Sequence, residues 1–163
     1  MIKYCSLILF FFLSQLLPAQ TAPREKLKKN SIYLEFLGSA PLLYNLSYDR
    51  LWTSEGKLRF STAIGLQYIF DTEIDGALKS DFSISPQVNL LYGKKHNLEI
   101  GIGAALPFGP NDIVFPLRIG YRFQKSEGGF FFKAAFTPIY FPGSNSLGML
   151  FLPWAGVAAG YSF

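Results

Sequence analysis

Few residues in this chain of 163 have side chains that do covalent chemistry. His96 is the one histidine, and it closes the segment Gly93-Lys94-Lys95-His96. Acyl transfer or hydrolysis needs a nucleophile activated by a base, commonly Ser with His. No Ser or Thr stands in a pattern that partners His96. The sequence therefore points away from an enzyme, and His96 reads as a solvated turn residue. Cys5 is the one cysteine and lies in the apolar N-terminal stretch. It is too early to be lipid-modified at a cleavage site, and no disulfide, thiol or Cys-ligated metal chemistry is expected beyond that stretch.

The segment Asp71, Glu73, Asp75, Gly76 has the opening spacing of a calcium loop, in which oxygen ligands alternate and the sixth residue is Gly. The twelfth position is Phe82, where a bidentate Glu is required, so a hydrated acidic loop is expected instead. There is no Gly-rich phosphate cradle, metal-ligand cluster or basic-aromatic patch. No cofactor, metal or nucleic-acid partner is expected.

What remains are seven charges, Glu35, Asp49, Glu99, Arg59, Arg118, Arg122 and Lys133, and the elements that position them. Residues 113 to 123 alternate strictly: Ile113, Phe115, Leu117, Ile119, Tyr121 and Phe123 on one face, Val114, Pro116, Arg118, Gly120 and Arg122 on the other. Successive strand side chains point to opposite faces. The same period recurs over 31–37, 42–52, 57–70, 81–92, 97–108, 129–141 and 150–163, which makes eight strands. All seven charges share the face rich in Gly, Ala and Ser. Small residues suit the crowded interior of an eight-stranded barrel. Three acids and four bases are expected to form one mutual network there, because unpaired interior charge is costly. The other face is bulky and almost free of charge, as a lipid-facing surface is.

Composition agrees. Hydrophobic residues make up 50% of the chain and charged ones 16%, against about 25% charged in ordinary soluble domains. After the signal no stretch holds helical periodicity and no run of 18 apolar residues occurs, so a helical membrane protein is not expected. Lys3, the apolar run Leu7–Leu17 and the sequence Pro18-Ala19-Gln20 read as a cleaved secretory signal over 1–19. A short basic leader follows over 20–30, and the barrel domain spans 31–163. From Ser31 onward ten basic and ten acidic residues balance, so the pI near 9.2 reflects the leader, read as a solvated tail. Short charged turns at 53–56, 93–96 and 125–128 alternate with the connections 38–41, 71–80, 109–112 and 142–149. That pattern places both termini and the short turns on the periplasmic side. Trp52, Tyr92, Phe123, Phe130, Tyr161 and Phe163 are expected in one aromatic girdle, with Tyr68, Phe82, Phe108 and Tyr140 in the other.

The last strand, with Tyr161 and the terminal Phe163 above alternating apolar residues, resembles the C-terminal signature of bacterial outer-membrane proteins. The resemblance implies that Tyr161 and Phe163 are recognised by the barrel-assembly machinery. Taken whole, the chain after the signal resembles the OmpX and OmpA-barrel class, and Leu46-Ser47-Tyr48-Asp49-Arg50 is similar to a segment seen in small barrels of the Bacteroidota. The expectation is an all-β, eight-stranded antiparallel up-and-down transmembrane barrel in a Gram-negative outer membrane. It would be a monomer that meets outer-membrane lipid and lipopolysaccharide, with a structural or interaction role. The alternatives are a narrow channel for small solutes and a lipid A-modifying enzyme.

Overall fold

The structure, a computed structural model, describes residues 27–39, 44–69, 81–109, 113–142 and 151–163. The signal over 1–19, most of the leader and the acidic loop over 71–80 lie outside the described residues. Alternating β-branched, aromatic and small residues favour extended chain, and eleven extended segments form. They are β1 (Asn30–Phe36), β2 (Tyr44–Leu51), β3 (Leu58–Ile69), β4 (Asp81–Gly93), β5 (His96–Gly103), β6 (Leu106–Pro107), β7 (Phe115–Gln124), β8 (Gly129–Phe136), β9 (Ile139–Tyr140), β10 (Phe151–Leu152) and β11 (Ala155–Ser162). Among the described residues no helix is long and apolar enough to cross a membrane, which says nothing about strands.

Eleven segments make eight barrel strands, because three expected strands are broken once each. The stretch read as 129–141 divides into β8 and β9 at Pro138, and 150–163 divides into β10 and β11 at Pro153. Proline has no N–H for the ladder. Thr137 N still donates to Trp154 O at 2.7 Å across the gap. The stretch 97–108 divides into β5 and β6 at Ala104, and an isolated bridge between Ala105 and Val114 carries the pairing past the break.

Each strand pairs antiparallel with its neighbour in sequence, and β11 returns to β1 from Ser31–Ser162 to Phe36–Val157. The sheet is a closed eight-stranded antiparallel barrel. Closure removes free edges, and Asn30 and Phe163 exchange backbone hydrogen bonds of 2.8 and 3.2 Å at the seam. Both described ends of the chain therefore meet at one end of the barrel, here the terminal end. The other is the distal end.

A slip of one residue would turn every side chain of a strand to the wrong face. The observed register keeps the two faces fully sorted. Arg122 and Asp49 inside are 0% exposed, whereas Leu58 and Tyr92 outside are 60% and 57% exposed. Gly93, at φ 145°, turns β4 toward β5 where a Cβ would collide with the His96 carbonyl.

Two apolar clusters pack inside the barrel, one toward each end. At the terminal end Leu27 packs with Leu51 and Leu91, all buried. The leader was expected to be solvated, yet its described part enters the barrel mouth. Lys29 O accepts from Leu51 N at 2.7 Å, and Lys28 O accepts from Gln124 Nε2 at 2.8 Å. At the distal end Ala105, Val114 and Ile139 pack with Phe141, Leu152 and Trp154.

Candidate functional site, a buried ionic belt

Between the apolar clusters, strand parity delivers Glu35 from β1, Asp49 from β2, Glu99 from β5, Arg118 and Arg122 from β7 and Lys133 from β8 to one contiguous stretch of the lumen. All six are 4% exposed or less. Arg122 clamps Asp49 with two bonds, Nη2 to Oδ1 at 2.8 Å and Nη1 to Oδ2 at 3.2 Å. In the ring order of eight, β2 and β7 stand four places apart, so this clamp spans the full lumen. Arg118 Nη2 reaches Glu35 Oε1 at 2.5 Å, and its Nε lies 3.9 Å from Glu99. Lys133 Nζ lies 3.0 Å from Glu99 and 3.7 Å from Asp49. Glu99 also lies 3.5 Å from Arg122. Three carboxylates thus face three cations, and the belt is neutral by formal count.

Neutral groups complete it. Ser61 donates to Asp49 at 3.1 Å, and Asn45 donates to Glu35 at 3.3 Å. Tyr33 and Phe131 stack with centroids 5.2 Å apart and offer their faces to the cations. Lys133 Nζ is 4.6 Å from the Tyr33 ring, and the Arg122 guanidinium is 4.8 Å from the Phe131 ring. Ring faces are negative, so a cation held over them recovers part of the hydration it gave up. Paired, hydrogen-bonded charge is the condition under which burial of ions is tolerable.

Arg59 does not join this belt. It lies nearer the terminal end and donates to Gly56 O at 2.7 Å, to Lys94 O at 2.9 Å and to Asn97 Oδ1. The expected network of seven charges is therefore six, and Arg59 ties the 53–57 turn to the 94–95 turn. The physical reason is height: Arg59 is the second residue of β3, level with the turn carbonyls, which accept from its Nη1 and Nη2 in place of an acid, while its Nε has no partner.

Three partners of the belt were readable but not singled out. Tyr33, Asn45 and Ser61 share the inward parity of the charges on their own strands. Ser39 was not readable. After Leu37, which takes a left-handed φ of 62°, the chain beyond β1 folds over the lumen instead of leaving it. Ser39 is then buried, donating to Glu35 at 2.7 Å and accepting from Arg118 at 3.1 Å and from Gln87 at 2.5 Å. Trp154 Nε1 and Thr137 Oγ1 hold that fold by donating to Leu37 O and Gly38 O, each at 2.8 Å.

His96 is the first residue of β5 rather than a turn residue. It points outward with its Nδ1 2.5 Å from the Tyr121 hydroxyl. Among the described residues no Ser or Thr hydroxyl bonds to it, and no cluster of groups that could hold a metal ion occurs. Tyr161 and Phe163 are exposed on the outer face. The outward aromatics collect in two belts. Trp52, Tyr92, Phe130, Tyr161 and Phe163 lie toward the terminal end, with Phe123 beside them half-buried. Toward the distal end Tyr68 pairs with Phe82 and Tyr140 with Phe151, with centroids 4.9 and 5.3 Å apart. Comparison with known proteins adds no assignment: no protein-family model, no curated protein and no solved structure matches the chain.

Proposed function

We propose that the chain is an exported barrel of a Gram-negative outer membrane, with a structural or interaction role in the envelope and a lumen that does not conduct. The observation that carries this reading is the inverted polarity of the two faces. Arg122, Lys133, Asp49 and Glu99 are sealed inside, while Leu58, Tyr92, Ile64 and Leu98 stand 52 to 60% exposed outside. The exterior apolar residues run around the whole ring, far beyond the few hundred Å² that a soluble monomer ordinarily exposes in one patch. Closure supports it as well, since a spanning sheet in lipid must leave no open edge. The longest strands are long enough: β3 and β4 have 12 and 13 residues, where about 9 to 11 tilted residues cross a bilayer, and β1 and β2, with 7 and 8, fall just short. The two aromatic belts suit the two membrane interfaces. With both described ends of the chain at one end of the barrel, that end is read as periplasmic, and Tyr161 and Phe163 as residues the assembly machinery grips.

The ionic belt and the two apolar clusters support a closed barrel over a channel. An ion entering from either side would meet first an apolar seal and then six mutually bonded charges. Two experiments test the proposal. Extraction of the membrane fraction in detergent, followed by gel migration with and without heating, should give a heat-modifiable band, and recovery of the protein free in the periplasm would refute the membrane reading. Planar bilayers holding the purified protein should show no discrete openings. Openings abolished by Arg118→Met would install the narrow-channel alternative instead.

A further inference from the structure

Among the described outward side chains of the strands, only Arg50 carries a formal charge. It is the seventh of the eight residues of β2 and pairs with Asn30, the first residue of β1, and with Thr62 on β3. That position is the terminal rim of the barrel. A cation on a lipid-facing surface is costly at mid-depth and nearly free at the interface. We propose that Arg50 seats the headgroup phosphate of an anionic phospholipid in the leaflet that meets the terminal end, a site that rests on the membrane reading above.

The guanidinium is held in place by its neighbours. Asn30 Oδ1 accepts from Arg50 Nη1 at 3.2 Å and from the Tyr48 hydroxyl at 2.8 Å. The guanidinium carbon lies 5.2 Å from the centroid of the Trp52 ring, and Trp52 is fixed in turn by its Nε1, which donates to Thr62 Oγ1 at 2.9 Å. These contacts use Nη1 and one face of the guanidinium plane. Among the described residues Nε and Nη2 donate no hydrogen bond, and no carboxylate pairs with Arg50. The two N–H groups on that edge form the fork that takes two oxygens of one phosphate.

The surroundings select a lipid over a soluble anion. On the distal side of Arg50 the surface turns apolar at once: Tyr48 and Leu46 follow on β2, flanked by Ile32 and Leu34 on β1 and by Ile64 and Leu66 on β3, all 38 to 53% exposed. A ligand that is charged at one end and apolar along its length matches both parts, whereas free phosphate matches the first alone. The rim supplies the sign of the charge. Six exposed lysines, Lys28, Lys29, Lys57, Lys94, Lys95 and Lys125, stand at the terminal end against Glu55 and Glu127, and basic groups at a membrane surface attract anionic headgroups. Trp52 and Tyr48 beside Arg50 are the residue types that settle at headgroup level. Because the terminal end is read as periplasmic, the occupant is a glycerophospholipid and not lipopolysaccharide.

The probe is dihexanoyl phosphatidylglycerol, titrated into the wild-type protein in micelles of dodecyl maltoside, a detergent without phosphate. Nuclear magnetic resonance follows the Nε–H signal of Arg50, assigned by its loss in Arg50→Gln, and the indole N–H of Trp52. A saturable shift of both signals, with no response to uncharged dihexanoylglycerol, is the expected result. Arg50→Gln should weaken binding read at Trp52 by about tenfold or more. An Arg50 signal that stays still, a shift that dihexanoylglycerol or inorganic phosphate reproduces at the same concentration, or tighter binding of diphosphoryl lipid A overturns the proposal, and these wild-type measurements require no variant to fold. All are read on protein that shows the heat-modifiable band, so their failure leaves the membrane reading standing. Recovery of the protein free in the periplasm refutes that reading and this site together.

Discussion

Replacing Arg122 by Met keeps a flexible stem against Phe131 and deletes the guanidinium. Asp49 then loses its contacts of 2.8 and 3.2 Å and keeps Ser61 and the Lys133 ammonium at 3.7 Å. The belt falls from three acids and three bases to three and two. Removing one partner of a buried pair costs about 3 to 5 kcal/mol, because the other charge is left without compensation. The nearby Lys133 places this site at the low end, about 3 kcal/mol. With a urea slope of about 2 kcal/mol per M for a chain of this size, the unfolding midpoint should fall by roughly 1.5 M. The assay is equilibrium urea unfolding in detergent micelles, followed by the fluorescence of Trp52 and Trp154. Adding Asp49→Asn restores neutrality at two acids and two bases, and most of the lost stability should return. A loss below about 1 kcal/mol for the single variant, or a double variant no more stable than the single, would refute the reasoning.

Other expectations concern the seam, the mouth and the turns. A Cβ at Gly160 would meet the Ile32 carbonyl oxygen and, at 2.5 Å, Tyr33 Cα. That obstacle is backbone, so Gly160→Ala should cost about 1 to 3 kcal/mol, while Gly101→Ala, which meets chiefly the movable Asn89 amide, should cost less; urea midpoints compare the two. Leu27→Ala should lower stability by about 2 kcal/mol, the lower bound for a buried leucine, if the leader seals the mouth as the Leu51 and Leu91 contacts describe; an unchanged midpoint would mean the leader does not pack there. Arg59→Met removes a guanidinium that three turn and strand acceptors share, and should cost about 1 to 2 kcal/mol. Hydrogen exchange should accelerate at the Gly93 and Lys94 amides and leave the amides flanking Arg122 unaffected.

Alternation was enough to assign faces. Every inward charge, the outward placement of Tyr161 and Phe163 and the eight-strand count follow from period two, because a pleated strand in a two-faced sheet cannot place neighbouring side chains on the same side. Alternation says nothing about height in the barrel. Arg59 and Arg122 have the same parity, yet one meets turn carbonyls and the other meets Asp49. Pro138 and Pro153 were visible as residues, but that the ladder breaks there and is bridged by Thr137 depends on which strand lies alongside.

Sequence by itself thus determined which side chains look inward, how many strands there are and which surface is apolar. Tertiary structure alone decided who meets whom. Asp49 and Arg122 are 73 residues apart and become partners because closure sets β2 opposite β7. Ser39 enters the belt because a left-handed Leu37 folds the chain over the lumen, and Leu27 becomes a seal because the first strand begins inside the mouth. Contacts across a ring depend on its stagger and closure, which no local pattern encodes.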